Sequence, residues 1–163
     1  MFDAYLKIDS IPGECNDKGH EAWIQLLSFS HTVAQTGTNI GGGGSRGSSG
    51  KAQHQDFIFT KYVDKASPKL FLHCSNGVNL KKVTVDVCRQ VDTRITYLQY
   101  TFEPCLVSSV TLGGSTAAVE DRPVEQVKFN YTKVEWKYTE VSKDNTAAGD
   151  TMAWWDLDNN TGG

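Results

Sequence analysis

The histidine and cysteine side chains, the first candidates for nucleophile and metal-ligand chemistry, are few and scattered. They are four histidines (His20, His31, His54, His73) and four cysteines (Cys15, Cys74, Cys88, Cys105) in 163 residues. Zinc sites and redox motifs need close Cys/His spacings, and these eight residues lack them. The nearest approach is His73-Cys74, but adjacent residues of a helix point about 100° apart and do not face each other. The thiols are therefore expected to be free, and a chain of this length can bury a core without disulfide staples. Asp56, Asp86, Glu103 and Glu135 fall in segments that read as strands. A solvated face or a lumen accounts for them, and no two are marked as an acid/base couple.

Two glycine motifs fail on their surroundings. Gly42-x-Gly44-x-x-Gly47 has the spacing of a dinucleotide fingerprint, but it follows a polar loop and opens no helix. A phosphate loop ending at Gly50-Lys51 would need glycine where Ser45 stands and Ser or Thr where Ala52 stands. Asn130-Tyr131-Thr132 and Asn159-Asn160-Thr161 match the glycosylation pattern, which is idle without a secretory signal. No cofactor, metal or catalytic residue is expected.

The elements that carry these residues are mainly β. Period-2 alternation marks strands at Ala4 to Ile8, Trp23 to His31, Gln55 to Tyr62, Lys82 to Arg89, Ile95 to Glu103 and Leu106 to Leu112, with Pro104 as the corner between the last two. Val127, Phe129 and Tyr131 share one parity, and Val134, Trp136 and Tyr138 share the other. The slip predicts a β-bulge near Thr132-Lys133 and favours a small antiparallel barrel over a flat sandwich. One helix is expected over about 67–76, with Ser67 as N-cap, Pro68 in the first turn and Gly77 as the left-handed stop. Leu70, Phe71 and Cys74 should face the barrel. The stretch 37–51, with Gly41, Gly42, Gly43, Gly44, Ser45, Arg46 and Gly47, cannot bury enough surface to offset its ordering entropy and reads as a long Gly/Ser-rich flexible loop.

Charge and hydropathy narrow the function classes. Sixteen basic and nineteen acidic residues are spread along the chain for a net charge of −3, with no basic stripe for a nucleic acid. The start, Met1-Phe2-Asp3-Ala4-Tyr5-Leu6-Lys7, lacks the basic and apolar regions of a secretory signal, and no stretch approaches the roughly 20 apolar residues of a membrane span. A protein made in the cytoplasm, without membrane insertion, is expected. Residues 1–163 fit a single domain with a flexible tail from about residue 158.

Taken in order, several stretches resemble the haemolysin-coregulated (Hcp) proteins of bacterial type VI secretion. They are Phe2 to Ile8 with Ile11-Pro12-Gly13-Glu14, Leu27-Ser28-Phe29-Ser30-His31, the glycine loop and His54-Gln55-Asp56-Phe57. Thr60 to Leu70, Leu106 to Val110 with Gly113-Gly114, Arg122-Pro123-Val124-Glu125, and Trp155-Asp156-Leu157 continue the series. Trp154 departs from it, since a small residue is expected before Trp155.

The resemblance implies a phage tail-tube-like barrel, hexameric rings and rings stacked into a tube that a contractile sheath and its baseplate expel. A valine-glycine repeat spike protein tips that tube, and effector proteins ride in its lumen. It implies a secreted protein of virulence and bacterial competition that leaves the cell without a signal peptide. It also implies that Phe29, Ser30 and His31 face the lumen and its effectors. The glycine loop is longer than a hairpin connection needs, so Gly41 to Gly47 are expected to contact the neighbouring subunit or ring. With no toxin domain fused after Gly163, effectors are expected to bind non-covalently. The competing reading is a monomeric ligand-binding β-barrel lined by Trp23, Trp136 and Tyr138.

Overall fold

The computed structural model describes residues 1–35, 51–89, 94–117, 121–144 and 146–163. The segment Gly41 to Gly47 lies outside the described residues. Among the described residues, eleven strands and one helix follow in order: β1 (Phe2–Ile8), β2 (Ile24–Leu26), β3 (Ser28–Ser30), β4 (Val33–Ala34), β5 (Gln53–His54), β6 (Phe57–Tyr62), α1 (Ser67–Asn76), β7 (Val83–Arg89), β8 (Ile95–Gly113), β9 (Val124–Val141), β10 (Ala147–Asp156) and β11 (Thr161–Gly162).

The alternation in the sequence becomes the inside and outside of a small antiparallel barrel. Ala4, Leu6 and Ile8 of β1 and Val83 and Val85 of β7 point into one core with Phe57 and Phe59 of β6, Phe102 of β8 and Phe129 of β9. Fully burying each such ring or branched chain contributes roughly 1.5–3 kcal/mol. Pairing runs from β1 to β7, β8, β9, β6 and β3. It returns to β1 through β2, which continues β3 across Leu27. The Leu27 N–H donates to the Thr60 carbonyl at 2.8 Å, so the barrel is joined at a one-residue seam.

Three local expectations are corrected. The parity slip in β9 exists, but no extra residue lies at Thr132-Lys133. Register with β8 runs unbroken from Leu98↔Tyr138 to Val107↔Phe129 and shifts only between Val107 and Ser109. The inward parity of β8 changes between Phe102 and Cys105 just where that of β9 changes between Val134 and Tyr131, so the two strands turn together and keep their pairing. For the same reason Pro104 does not divide two strands. Cys105 exchanges both backbone bonds with Leu80 at 2.8 Å, and the Thr132 carbonyl, opposite Pro104, accepts from the Leu157 N–H at 2.8 Å.

The third correction concerns α1. Its N-cap is Ala66 rather than Ser67, with no side-chain cap of its own. Asp64 does that work by accepting from the Ala66 N–H through Oδ1 at 2.9 Å. Leu70 is buried and Cys74 packs on the core, whereas Phe71, a third of a turn away, is 38% exposed. Gly77 ends the helix at φ 67°, as its position predicted.

The chain beyond residue 158 turns back as β11 onto β10, with Trp155 opposite Gly162. β10 itself carries little alternation and was not legible as a strand; its long pairing with β9 forms it. Among the described residues, no helix is long and apolar enough to cross a membrane.

Candidate functional site

Among the described residues, folding brings together a Cys/His/Asp constellation that the sequence hides. His20 Nε2 lies 3.0 Å from Asp86 Oδ2 and 3.9 Å from Cys88 Sγ, across 66 and 68 residues of chain. A nucleophile relay needs the two ring nitrogens to face different partners, one toward the thiol and one toward the acid. Here both contacts fall on Nε2, and Nδ1 is buried without a hydrogen-bond partner. Cys88 is fully buried, and burial raises its thiol pKa, which works against a thiolate.

The cluster is a strap instead. The Tyr5 hydroxyl donates to Asp17 at 2.6 Å, Gln99 donates to Asp86 at 2.7 Å, and Arg94 meets Asp17 at 3.3 Å. Together these bonds hold residues 12–23 on the outer face of β1 and β7. Gly13 is required there because a Cβ would lie 2.3 Å from the Trp23 carbonyl.

A second polar cluster fastens α1 to the barrel. Lys61 follows Phe57 and Phe59 in the inward parity of β6 and is fully buried. Its Nζ reaches Asp64 at 2.7 Å, Glu125 at 3.0 Å, the Tyr62 carbonyl at 2.9 Å and Ser67 at 3.1 Å. Two of the sequence stretches singled out above, Thr60 to Leu70 and Arg122 to Glu125, meet at this point. The alternation alone could have placed Lys61 inward, but it could not have named Glu125 as its partner.

The segment Phe29-Ser30-His31 is divided by the fold. Phe29 lies against the core, 6.2 Å from Phe2 and 6.0 Å from Phe57. Ser30 is exposed. His31 turns into an aromatic cluster and bonds the Tyr131 hydroxyl, and burial, assisted by nearby His54, lowers its pKa to about 4. The fold does not gather the proposed ligand-barrel lining. Trp23 stands against His20 outside the barrel at 4.7 Å, Trp136 packs on the core, and Tyr138 is half exposed. Phenylalanine rings fill the interior, with Phe57, Phe102 and Phe129 at centroid separations of 5.1–5.2 Å.

Among the described residues, β10 presents an exposed face. From Ala147 to Ala153 every residue of β10 is exposed, one edge pairs with β9, and β11 covers the other edge only near Trp155. Tyr138 and Met152 add exposed apolar area along this pair, and Lys137 joins Asp150 at 3.0 Å. Trp154, the residue out of pattern, is held by Lys133, 4.9 Å from its ring centroid, and by two backbone bonds to Gly163.

Comparison with known proteins finds similarity along nearly the whole chain. Residues 5–138 match the family profile described as "Type VI secretion system effector, Hcp". The chain is 34% identical to Protein hcp1 of Pseudomonas aeruginosa over 160 residues, covering 97% of this chain and 96% of the relative. It is similar to a solved "type six secretion system protein" at a TM-score of 0.94 and 30% identity, covering 100% of both chains. It is also similar to a type VI secretion system effector from Yersinia pestis at a TM-score of 0.75 and 32% identity, covering 94% of this chain and 99% of the other.

Proposed function

Because the chain belongs to the Hcp family of type VI secretion proteins, we propose that it is the subunit of the secretion tube, six copies closing into a ring and rings stacking into a cylinder. The observation that carries this reading is the pairing of a filled barrel with an open edge. Among the described residues phenylalanine rings fill the interior, and β10 presents a strand edge with exposed apolar neighbours. An open edge is an aggregation hazard for a lone subunit, and head-to-tail contact between unlike patches covers it and closes a ring.

In this reading the protein catalyses nothing. It is made in the cytoplasm, is expelled by the sheath and baseplate behind a valine-glycine repeat spike, and carries effectors in the ring interior. Of the three residues first assigned to that interior, Ser30 alone is freely exposed and is the cargo-facing position, with Phe29 and His31 fixing the strand behind it. Contact between rings is assigned to Gly41 to Gly47 on composition and length.

Electron microscopy of the purified protein tests the reading. Rings with a central hole are expected, Ser30→Arg should abolish cargo retention while leaving them intact, and deletion of Gly41 to Gly50 should shorten their stacks. Particles without rings contradict the reading.

A further inference from the structure

β4 and β5 leave the barrel as a two-residue ladder, with Val33 opposite His54 and Ala34 opposite Gln53. Val33, Ala34 and Gln53 are exposed, and only His54 turns back against the protein. Its ring stacks on Trp155 at 6.2 Å and Trp136 at 6.5 Å and stands edge-on to Tyr131 at 6.3 Å. At the root of the ladder, His31 sits among Phe57, Tyr100, Phe102, Tyr131 and Trp136 at 5.6–6.1 Å. The Tyr131 hydroxyl donates to the Gln55 carbonyl at 3.2 Å, so toward His31 it acts as acceptor for the Nε2–H.

This arrangement suits neutral imidazoles. His54 Nδ1 is buried with no partner, and a proton placed there would find no acceptor. Among the described residues, the titratable groups facing the pair are Tyr100 from β8, Tyr131 from β9 and each other. Burial raises both phenols, so neither supplies a negative charge. Cys105, which acts on Tyr131, is pushed up to about 12 and stays a thiol. The acid acting on this cluster is Asp56, through Tyr131, and it is hydrogen-bonded to Ser108. Cation–π attraction to the two indoles offsets only part of the cost of burying two like charges side by side.

We propose that His31 and His54 make the β4–β5 ladder an acid-sensitive latch: neutral rings hold it on the aromatic wall built by β8, β9 and β10, and protonation releases it while the barrel stays folded. Burial lowers His54 and brings His31 from 6.5 to about 4, so the folded protein binds these protons less readily than the unfolded chain. The hold is complete above the unfolded value and is lost as pH falls through that window. This inference concerns one chain and does not depend on how copies assemble.

Hydrogen exchange by mass spectrometry on the full chain at about pH 7 and about pH 4.5, corrected for intrinsic rates, tests it. Peptides covering 31–34 and 53–55 should lose protection at least about tenfold in acid while 83–89 keep theirs. The double variant His31→Phe with His54→Phe should show no such loss. Unchanged protection in acid, or an equal loss in the double variant, overturns the latch. Should that variant not fold, imidazole titration of the unaltered protein by NMR decides: a His31 midpoint near 4 supports the latch, and midpoints near 6.5 for both rings overturn it.

Discussion

Lys61 and His20 are both buried in polar company, yet they are built on opposite terms. Lys61 and Glu125 are each fully shielded from solvent on the inward side of β6 and β9, where the cation donates to three acceptors within 3.1 Å and pairs with Glu125 at 3.0 Å. His20 and Asp86 sit on the outer face of β1 and β7 under a strapped loop, and they keep slight solvent contact at 7% and 9% exposure. The first cluster docks a helix onto the barrel; the second lays a loop over it. Each arrangement is vulnerable in its own way. Removing a partner inside strands a charge that water cannot reach, whereas removing one outside lets the loop lift and water enter.

The largest effect should come from Lys61→Met, which leaves Glu125 buried and unpaired and should cost about 3–5 kcal/mol in urea unfolding. Adding Glu125→Gln to it should recover part of that loss. Equal stability of the single and double variants would show that Glu125 is not held as a buried charge.

Asp86→Ala should cost less, about 1–3 kcal/mol, because it leaves His20 and Gln99 short of an acceptor at a site near solvent. It should also speed proteolytic cleavage at exposed Lys18 within the strapped loop, and an unchanged cleavage rate would count against the strap. The smallest effect on the single chain belongs to Met152→Gln on exposed β10, within about 0.5 kcal/mol of the parent in the same unfolding measurement. Its consequence should appear in assembly instead, as fewer rings at equal protein concentration.

These clusters also show what the sequence could reveal. The valine alternation of β7 and the glycine stop of α1 were visible because local steric rules fix them, whereas the run from Trp23 to His31 read as one strand and its break at Leu27 did not show. The parity slip in β9 was visible too, but not its meaning, since a bend shared by two strands leaves the same trace in one strand as a bulge does. Lys61 with Glu125 and His20 with Asp86 join residues 64 and 66 positions apart, and no local spacing encodes such pairs. β10 stayed hidden because Ala147 to Ala153 has weak strand preference and takes its shape from β9. The segment 29–31 was legible as a strand end, while the inward turn of His31 depends on rings from four other strands: β6, β8, β9 and β5.

Light scattering coupled to size-exclusion chromatography reads the mass of the assembled particle. A filled barrel with an unlike, uncovered edge should elute as a discrete species of about six times 18.0 kDa, stable on dilution into the low micromolar range. A lone particle of 18.0 kDa at high concentration would contradict it.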